Sequence, residues 1–301
     1  MNNFKGKLSL KEFTRLLKSP LFDVSMSKNS SVANDMDQPL CDYYICTSHN
    51  TTVEDEQLFS KTTIEDYASA LERGCRCLEL ILWDGPHGKP VIHHGRSFIT
   101  DVEVHHVLRH GILPNAFKYS PYPLILSLEQ HLSLEQQDFL ADCLKRIFGE
   151  MLYDGDVATL TQLPSPNQLR GKIIVMADVK QTRSRKLQSI INICQSTWFE
   201  NSKQKDEFYQ VSSLSEIKAR HQVETAGNDL IRHAARRLMR VYPAGIRVQS
   251  SNFDPVTYWN CGLQMVAINF QSGDCHLRTY LGRFRSSGGY VLKPKSGNII
   301  Q

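Results

Sequence analysis

The stretch YYICTSHN (43–50) closes an apolar run with His49 and Asn50, and three later stretches repeat the plan: CRCLELILWDG (75–85), VIHHG (91–95) and LILSLEQH (124–131). Each sets a His, Asn or Glu at or near the end of a short apolar run. Runs of this length read as strands, and the carboxyl ends of its strands are where an α/β barrel gathers its chemistry. Between them lie segments with helical spacing, IEDYASALERG (64–74), VEVHHVLRHGI (102–112) and SLEQQDFLADCLKRIFG (133–149). KIIVMAD (172–178) reads as another strand, and KLQSIINICQS (186–196) and SEIKARHQVETAGNDLIRHAARRLMR (215–240) as further helices. Alternating strand and helix implies a parallel sheet, here closed into a barrel.

The bulk properties agree with that reading. A chain of 301 residues is mostly consumed by a barrel of about 250. Its formal net charge of +4 is too small to demand a nucleic-acid partner and suits an anionic membrane surface. The eight cysteines are scattered. Strand alternation would put Cys75 and Cys77 on one face, a poor geometry for a disulfide, so reduced thiols in a cytoplasmic protein are expected. No apolar run of about 20 residues occurs, so any membrane association is expected to be peripheral.

Taken in order, these motifs, with RVYPAGIRVQSSNFDPVTYWNCGLQMVAINFQ (240–271) and GRFRSSGGYVLKP (282–294), resemble the X and Y catalytic halves of eukaryotic phosphoinositide-specific phospholipase C. The resemblance covers roughly residues 38 to 295. It implies an α/β fold, a split (β/α)8 TIM-type barrel, with the X half at 38–180, a short X–Y linker and connecting helix at 181–206, and the Y half at 207–301. Ahead of these, SLKEFTRLLK (9–18) has capping-box spacing from Ser9 to Glu12 and one apolar helical face. It resembles the last helix of an EF-hand module, so 1–37 reads as an EF-hand-like helical remnant and linker, without a calcium loop. The linker QTRSRK (181–186) is far shorter than is usual in the family, which implies an open barrel mouth.

The resemblance also implies roles. His49 would stabilise the phosphorane and His94 would protonate the leaving oxygen. Asn50, Glu79 and Glu129 would hold Ca2+, and either glutamate could act as general base. Ser213, Arg240 and Tyr242 would hold the inositol ring and its phosphates. Ile246, with Leu58 and Phe98 and with Arg96 among them, would form an apolar rim against the membrane.

Two departures stand out. The family's fourth calcium ligand, an aspartate, is replaced by Ile81, which strand alternation puts on the same face as Glu79 and Trp83. Asp84, three residues on, is badly placed to substitute. In LPSPNQLRGKIIVMADVK (163–180), Met176 and Asp178 stand where the family carries two lysines, and Lys180 lies out of register. The expected function is therefore hydrolysis of phosphatidylinositol 4,5-bisphosphate to diacylglycerol and inositol trisphosphate in calcium-linked signalling, strongly impaired in this chain by a weakened Ca2+ site. The alternative is a catalytically inactive relative that binds phosphoinositides or proteins as a scaffold. The expected partner is a phosphoinositide membrane surface, approached from the cytoplasm by a monomer, with no nucleic acid and no protein partner specified.

Overall fold

The computed structural model describes residues 9–10, 35–51, 63–92, 101–197, 207–247 and 249–294. The chain divides into Met1–Ala33 and Asn34–Gln301. Apart from Ser9 and Leu10, the expected EF-hand-like helix lies outside the described residues, as do His94, Leu58, Arg96 and Phe98.

A short strand β1 (Tyr43–Ile45) leads into β2 (Ser48–His49), helix α1 (Thr63–Glu72) and β3 (Cys77–Trp83). Helix α1 carries Glu65 and Asp66 in its first turn, where the helix dipole favours negative charge. It stops at Gly74, whose φ of +91° suits the left-handed residue of a helix terminus. The amide of Cys75 then reaches back to the Ala70 carbonyl at 3.0 Å, turning the chain into β3.

In β3 the sequence Cys-Leu-Glu-Leu-Ile-Leu-Trp alternates sides. Leu78, Leu80 and Leu82 are buried in the apolar layer between strands and helices, worth roughly 1.5–3 kcal/mol each. Glu79 and Ile81 fall on the other face, toward the barrel interior. An antiparallel extension, β4 (Val91–Ile92) and β5 (Val102–Glu103), runs beside β3. The segment 102–112 thus begins as strand and continues as α2 (Val104–His106) and a π-helical turn over Val107–Ile112.

The chain continues through β6 (Leu124–His131), α3 (Leu134–Phe148), β7 (Ile173–Ala177), α4 (Arg185–Gln188), β8 (Ile191–Thr197), β9 (Gln210–Ser215), α5 (Glu216–Ala234) and β10 (Met239–Tyr242). Helix α6 (Pro255–Asn260), β11 (Met265–Val266), β12 (Ile268–Asn269), α7 (Cys275–Phe284) and β13 (Tyr290–Leu292) complete it. Strands β3, β6, β7, β8, β9, β10 and β11 pair in that order, all parallel. The segment 265–269 closes the ring, because β11 pairs with β10 while β12 pairs in parallel with β2. A parallel bridge from Thr47 to Cys77 joins β2 to β3. The result is the expected α/β barrel of eight parallel strands, β11 and β12 together forming one.

A further segment departs from its sequence reading, as do 102–112 at its start and 215–240, whose last residues enter strand β10. The segment 186–196, read as helix, is a four-residue helix followed by strand β8. Ile191 and Ile193 are β-branched residues on alternate positions, and Ile193 is fully buried. More decisively, β8 pairs with β7 on one side and β9 on the other, so a helix here would leave two buried strand edges unpaired. The short linker ahead of it packs against α3, with the backbone amides of Arg183 and Ser184 both donating to Gln137 Oε1 (2.8 and 2.9 Å).

The amino end of the barrel is closed by the antiparallel ribbon of β1 and β13 and by a fully buried arginine, Arg76. Its guanidinium donates to the carbonyls of Cys75 and Ala116, both at 2.7 Å. Gly289, at φ +85°, passes so close that a Cβ would lie 2.3 Å from Arg76 Cγ, so only glycine fits there.

Candidate active site

At the carboxyl ends of the strands lies a cavity of about 620 Å³ lined by His49, Glu79, Leu128, Glu129, His131, Asp178, Gln181, Gln195, Val211, Ser213, Arg240 and Tyr242. Five of the residues singled out from the sequence, besides Glu129, therefore meet in one place: His49 from β2, Glu79 from β3, Ser213 from β9, and Arg240 and Tyr242 from β10. Glu129 joins them from the end of β6.

The centre of the site is an ion pair. Arg240, 3% exposed, donates through Nη2 to Glu79 Oε1, and Glu79 is 4% exposed. Arg240 also donates from Nη1 to Ser213 Oγ at 3.2 Å, which the parallel pairing of Arg240 with Ser213 brings alongside. The other Glu79 oxygen accepts from the Asn50 backbone amide at 3.0 Å. Burial pushes the Glu79 carboxyl up, but Arg240, His49 and the Asn50 amide together outweigh it and leave it below the ordinary carboxylate value. Asn50 sits at φ +40°, a conformation asparagine tolerates better than most residues.

His49 is oriented by a residue the sequence reading passed over. Asn269 stands opposite His49 in the β2–β12 pair, and its Oδ1 lies 2.9 Å from His49 Nδ1. Asn269 Nδ2 donates to the Ser250 carbonyl at 3.1 Å. Because a carbonyl can only accept, Asn269 must present its oxygen to the histidine, so Nδ1 carries the proton and Nε2 of the neutral ring is bare. Burial lowers the His49 pKa; Glu79 opposes this and Arg240 reinforces it. Tyr242 lies parallel to the His49 ring, 6.1 Å between centroids, and has the Arg240 guanidinium 5.1 Å from its own. The signal for Asn269 was available: VAINFQ ends an apolar run in a polar residue, the plan that flagged His49.

Glu129 is different in kind from Glu79. Its side chain is 52% exposed, with Oε1 3.2 Å from His131 Nε2, and His131 stacks on Trp83 at 4.1 Å. Register puts Ile81 directly beside Glu129. Ile81 is half-buried and is not among the residues lining the cavity. Asp84 is turned away, its Oδ1 accepting from the Ser133 amide at 2.9 Å. Met176 is fully buried, paired with Ser127 and Ile193, whereas Asp178 reaches the cavity and accepts the Lys180 amide at 2.8 Å. Ile246 is 79% exposed; its expected companions on the rim lie outside the described residues. All eight cysteines are free, and no described helix is long and apolar enough to cross a membrane.

With this geometry in view, comparison with known proteins is direct. Residues 36–181 match the family described as phosphatidylinositol-specific phospholipase C, X domain, and 187–296 match its Y domain. A 1-phosphatidylinositol 4,5-bisphosphate phosphodiesterase delta-4 from Xenopus laevis is 37% identical over a 338-residue alignment covering 95% of this chain and 44% of that protein. The delta-1 protein of Rattus norvegicus is 39% identical over 313 aligned residues, 87% of this chain and 41% of its own. Among solved structures, PLC21 from L. pealei superposes with a TM-score of 0.83 at 33% identity, over 97% of this chain and 42% of that one. A calcium-dependent phosphoinositol-specific phospholipase C from Pseudomonas sp. shares the fold at a TM-score of 0.55 and 13% identity, over 79% of this chain and 92% of that one. The chain spans less than half the length of the delta-type relatives it matches.

Proposed function

Since the chain belongs to the eukaryotic phosphoinositide-specific phospholipase C family, we propose that its barrel mouth is a phosphodiesterase site for inositol phospholipids whose turnover is strongly reduced. The observation that carries the reading is the convergence of His49, Glu79, Glu129, Ser213, Arg240 and Tyr242 on one cavity. The reaction needs a base for the attacking ring hydroxyl, positive charge for the pentacoordinate phosphorus and an acid for the leaving oxygen.

Glu129 is the base of choice. It is solvated and, among the described residues, bound to His131 alone, while Glu79 is tied to Arg240 and held in its weakly basic form. Arg240 faces the developing negative charge, Ser213 fixes the guanidinium, and Tyr242 gives the ring an aromatic floor. His49 rests neutral with Nε2 bare, so it must take a proton before it can donate to a phosphoryl oxygen. An arriving phosphodiester anion favours that protonation. By resemblance, His94 remains the acid for diacylglycerol departure.

Asn50, Glu79 and Glu129 are the residues that would hold Ca2+, whose role when bound is to polarise the attacking hydroxyl and neutralise phosphoryl charge. Their oxygens suit a hard cation in kind, but calcium takes 6–8 oxygen ligands. Here Glu79 already serves Arg240, and a branched hydrocarbon stands next to Glu129. The site is therefore weak. A second reading, an inactive scaffold that binds phosphoinositide or protein, draws on the same two features and predicts binding without turnover at any calcium concentration.

Hydrolysis of vesicle phosphatidylinositol across a calcium titration separates these readings. The chain should turn over slowly and need calcium well above micromolar. Ile81→Asp should lower the calcium midpoint by about tenfold or more, since affinity follows ligand charge count. Full activity of the unaltered chain at micromolar calcium would show that the site is not impaired.

A further inference from the structure

The charge around the mouth cavity is inverted for holding phosphate monoesters. Among the described residues, the lining carries three carboxylates, Glu79, Glu129 and Asp178, against one permanent cation, Arg240. Arg240 is already committed, with one nitrogen on Glu79 and another on Ser213 Oγ. Glu129 and Asp178 are left without a lysine or arginine partner among the lining groups, on the adjacent strand ends of β6 and β7. Besides the imidazoles of His49 and His131, the remaining polar lining, Gln181, Gln195, Ser213 and Tyr242, is uncharged and able to give and receive hydrogen bonds.

This mixture treats two kinds of ring substituent differently. A hydroxyl donates to a carboxylate and accepts from an amide at no charge cost. A phosphate monoester brings about −1.5 to −2 charges at neutral pH, and each carboxylate within a few ångströms repels it in a cavity whose effective dielectric is far below that of water. We propose that this pocket selects an inositol ring bearing free hydroxyls over one bearing phosphate monoesters, so that phosphatidylinositol rather than its 4,5-bisphosphate is the favoured headgroup, with Asp178 as the main discriminating residue. The proposal rests on the phospholipase reading for seating the ring in this cavity. Asp178 is the discriminator because it lies in the lining at the end of β7, on the turn held by Lys180 N–H to Asp178 Oδ1 and Thr182 Oγ1 to the Asp178 carbonyl.

The test uses two soluble probes, glycerophosphoinositol and glycerophosphoinositol 4,5-bisphosphate, titrated calorimetrically into the full chain at fixed ionic strength. Vesicle hydrolysis of the two corresponding lipids at high calcium is measured in parallel. The unaltered chain should bind the monoester-free probe about tenfold tighter or more. Asp178→Lys should move the ratio toward the bisphosphate by about 10- to 100-fold. Asp178→Asn keeps an acceptor for the Lys180 amide while removing the charge, so it should move the ratio part of the way in a folded protein. Tighter binding of the bisphosphate by the unaltered chain, an unchanged ratio in both variants, or no binding of either probe would each overturn the proposal. The hydrolysis arm reports separately: selective binding without hydrolysis supports the pocket and removes the enzyme, whereas preferential hydrolysis of the bisphosphate keeps the enzyme and removes the selectivity.

Discussion

The two ends of this barrel are each built on a buried arginine, and the two are held in opposite ways. Arg76, at the amino end, is fully buried and answered by backbone dipoles, donating to the carbonyls of Cys75, Ala116, Ser120 and Tyr122. Arg240, at the carboxyl end, is 3% exposed and answered by a full charge, the carboxylate of Glu79. Neutral carbonyls do not titrate, so Arg76 is a fixture of the fold at any ordinary pH. A carboxylate does titrate, and it can be shared with a hydroxyl or a metal ion, so Arg240 belongs to a site that responds to what enters it. The same side chain is a plug below and, in the proposed site, part of the chemistry above, which agrees with stability residing at the bottom of such barrels and function at the top.

The largest effect that tests this contrast is at the bottom. Arg76→Met should leave the Cys75 and Ala116 carbonyls buried without a donor, each costing about 1–3 kcal/mol, for a total loss of about 2–6 kcal/mol. Urea unfolding followed by circular dichroism measures it. A loss below about 1 kcal/mol would mean that water replaces the guanidinium and that Arg76 is no plug. The deficit should not change between pH 5 and pH 8, because nothing that receives the guanidinium's hydrogen bonds takes up a proton.

At the top the corresponding variant, Arg240→Met, should cost about 3 kcal/mol at neutral pH by stranding a buried carboxylate, and here the pH dependence is the informative part. In the unaltered chain the Glu79 pKa lies below its ordinary value. Its stabilising share is thus present above the ordinary carboxylate range, near pH 4.3, and is lost as pH falls through the depressed folded value. With Arg240 gone, burial is the dominant influence and the folded pKa rises above the ordinary one. The variant should then lose stability as pH rises through that raised value, so its deficit should be smaller at pH 4.5 than at pH 7.5. Equal deficits at both would show that Arg240, like Arg76, is only a structural prop.

Much of the upper end was legible in the sequence, and almost none of the lower. His49, Glu79 and Glu129 lie at or near the ends of apolar runs, and the period of a strand aims such residues at one mouth; Ser213, Arg240 and Tyr242 were marked by the resemblance of their motifs alone. Arg76 gave no such signal. Its burial depends on Gly289, Ala116 and Ser120, brought in from loops distant in sequence, and a lone arginine before a strand reads as a surface residue. The β8 segment was misread because Ile-Asn-Ile-Cys is too short for periodicity to decide, and only the two strands flanking it make extended backbone obligatory. Asn269, like His49, ends an apolar run, but what its side chain does follows only from its pairing with His49, 220 residues away in sequence.

The smallest expected effect asks whether the responsiveness of the upper end extends beyond the ion pair to His49. Burial lowers the His49 pKa, with Arg240 adding to the depression, while Glu79 and Asn269 act against it. A histidine held neutral contributes stability that is full above the ordinary value near pH 6.5 and is lost as pH falls toward the lower folded value. Replacing Asn269 by Leu should remove both of its side-chain hydrogen bonds, to His49 and to the Ser250 carbonyl, about 1 kcal/mol each, and lower the His49 pKa further. Asn269→Asp should do the reverse, because a carboxylate 2.9 Å from Nδ1, in place of the present amide oxygen, stabilises the imidazolium. Nitrogen-15 chemical shifts of the imidazole report both the proton position and the pKa. In the unaltered chain they should show a protonated Nδ1 and a bare Nε2. A proton found on Nε2 of the neutral ring would mean that the Asn269 amide is turned the other way. His49 would then be a ready-made donor, and the protonation step assigned to substrate binding would be unnecessary.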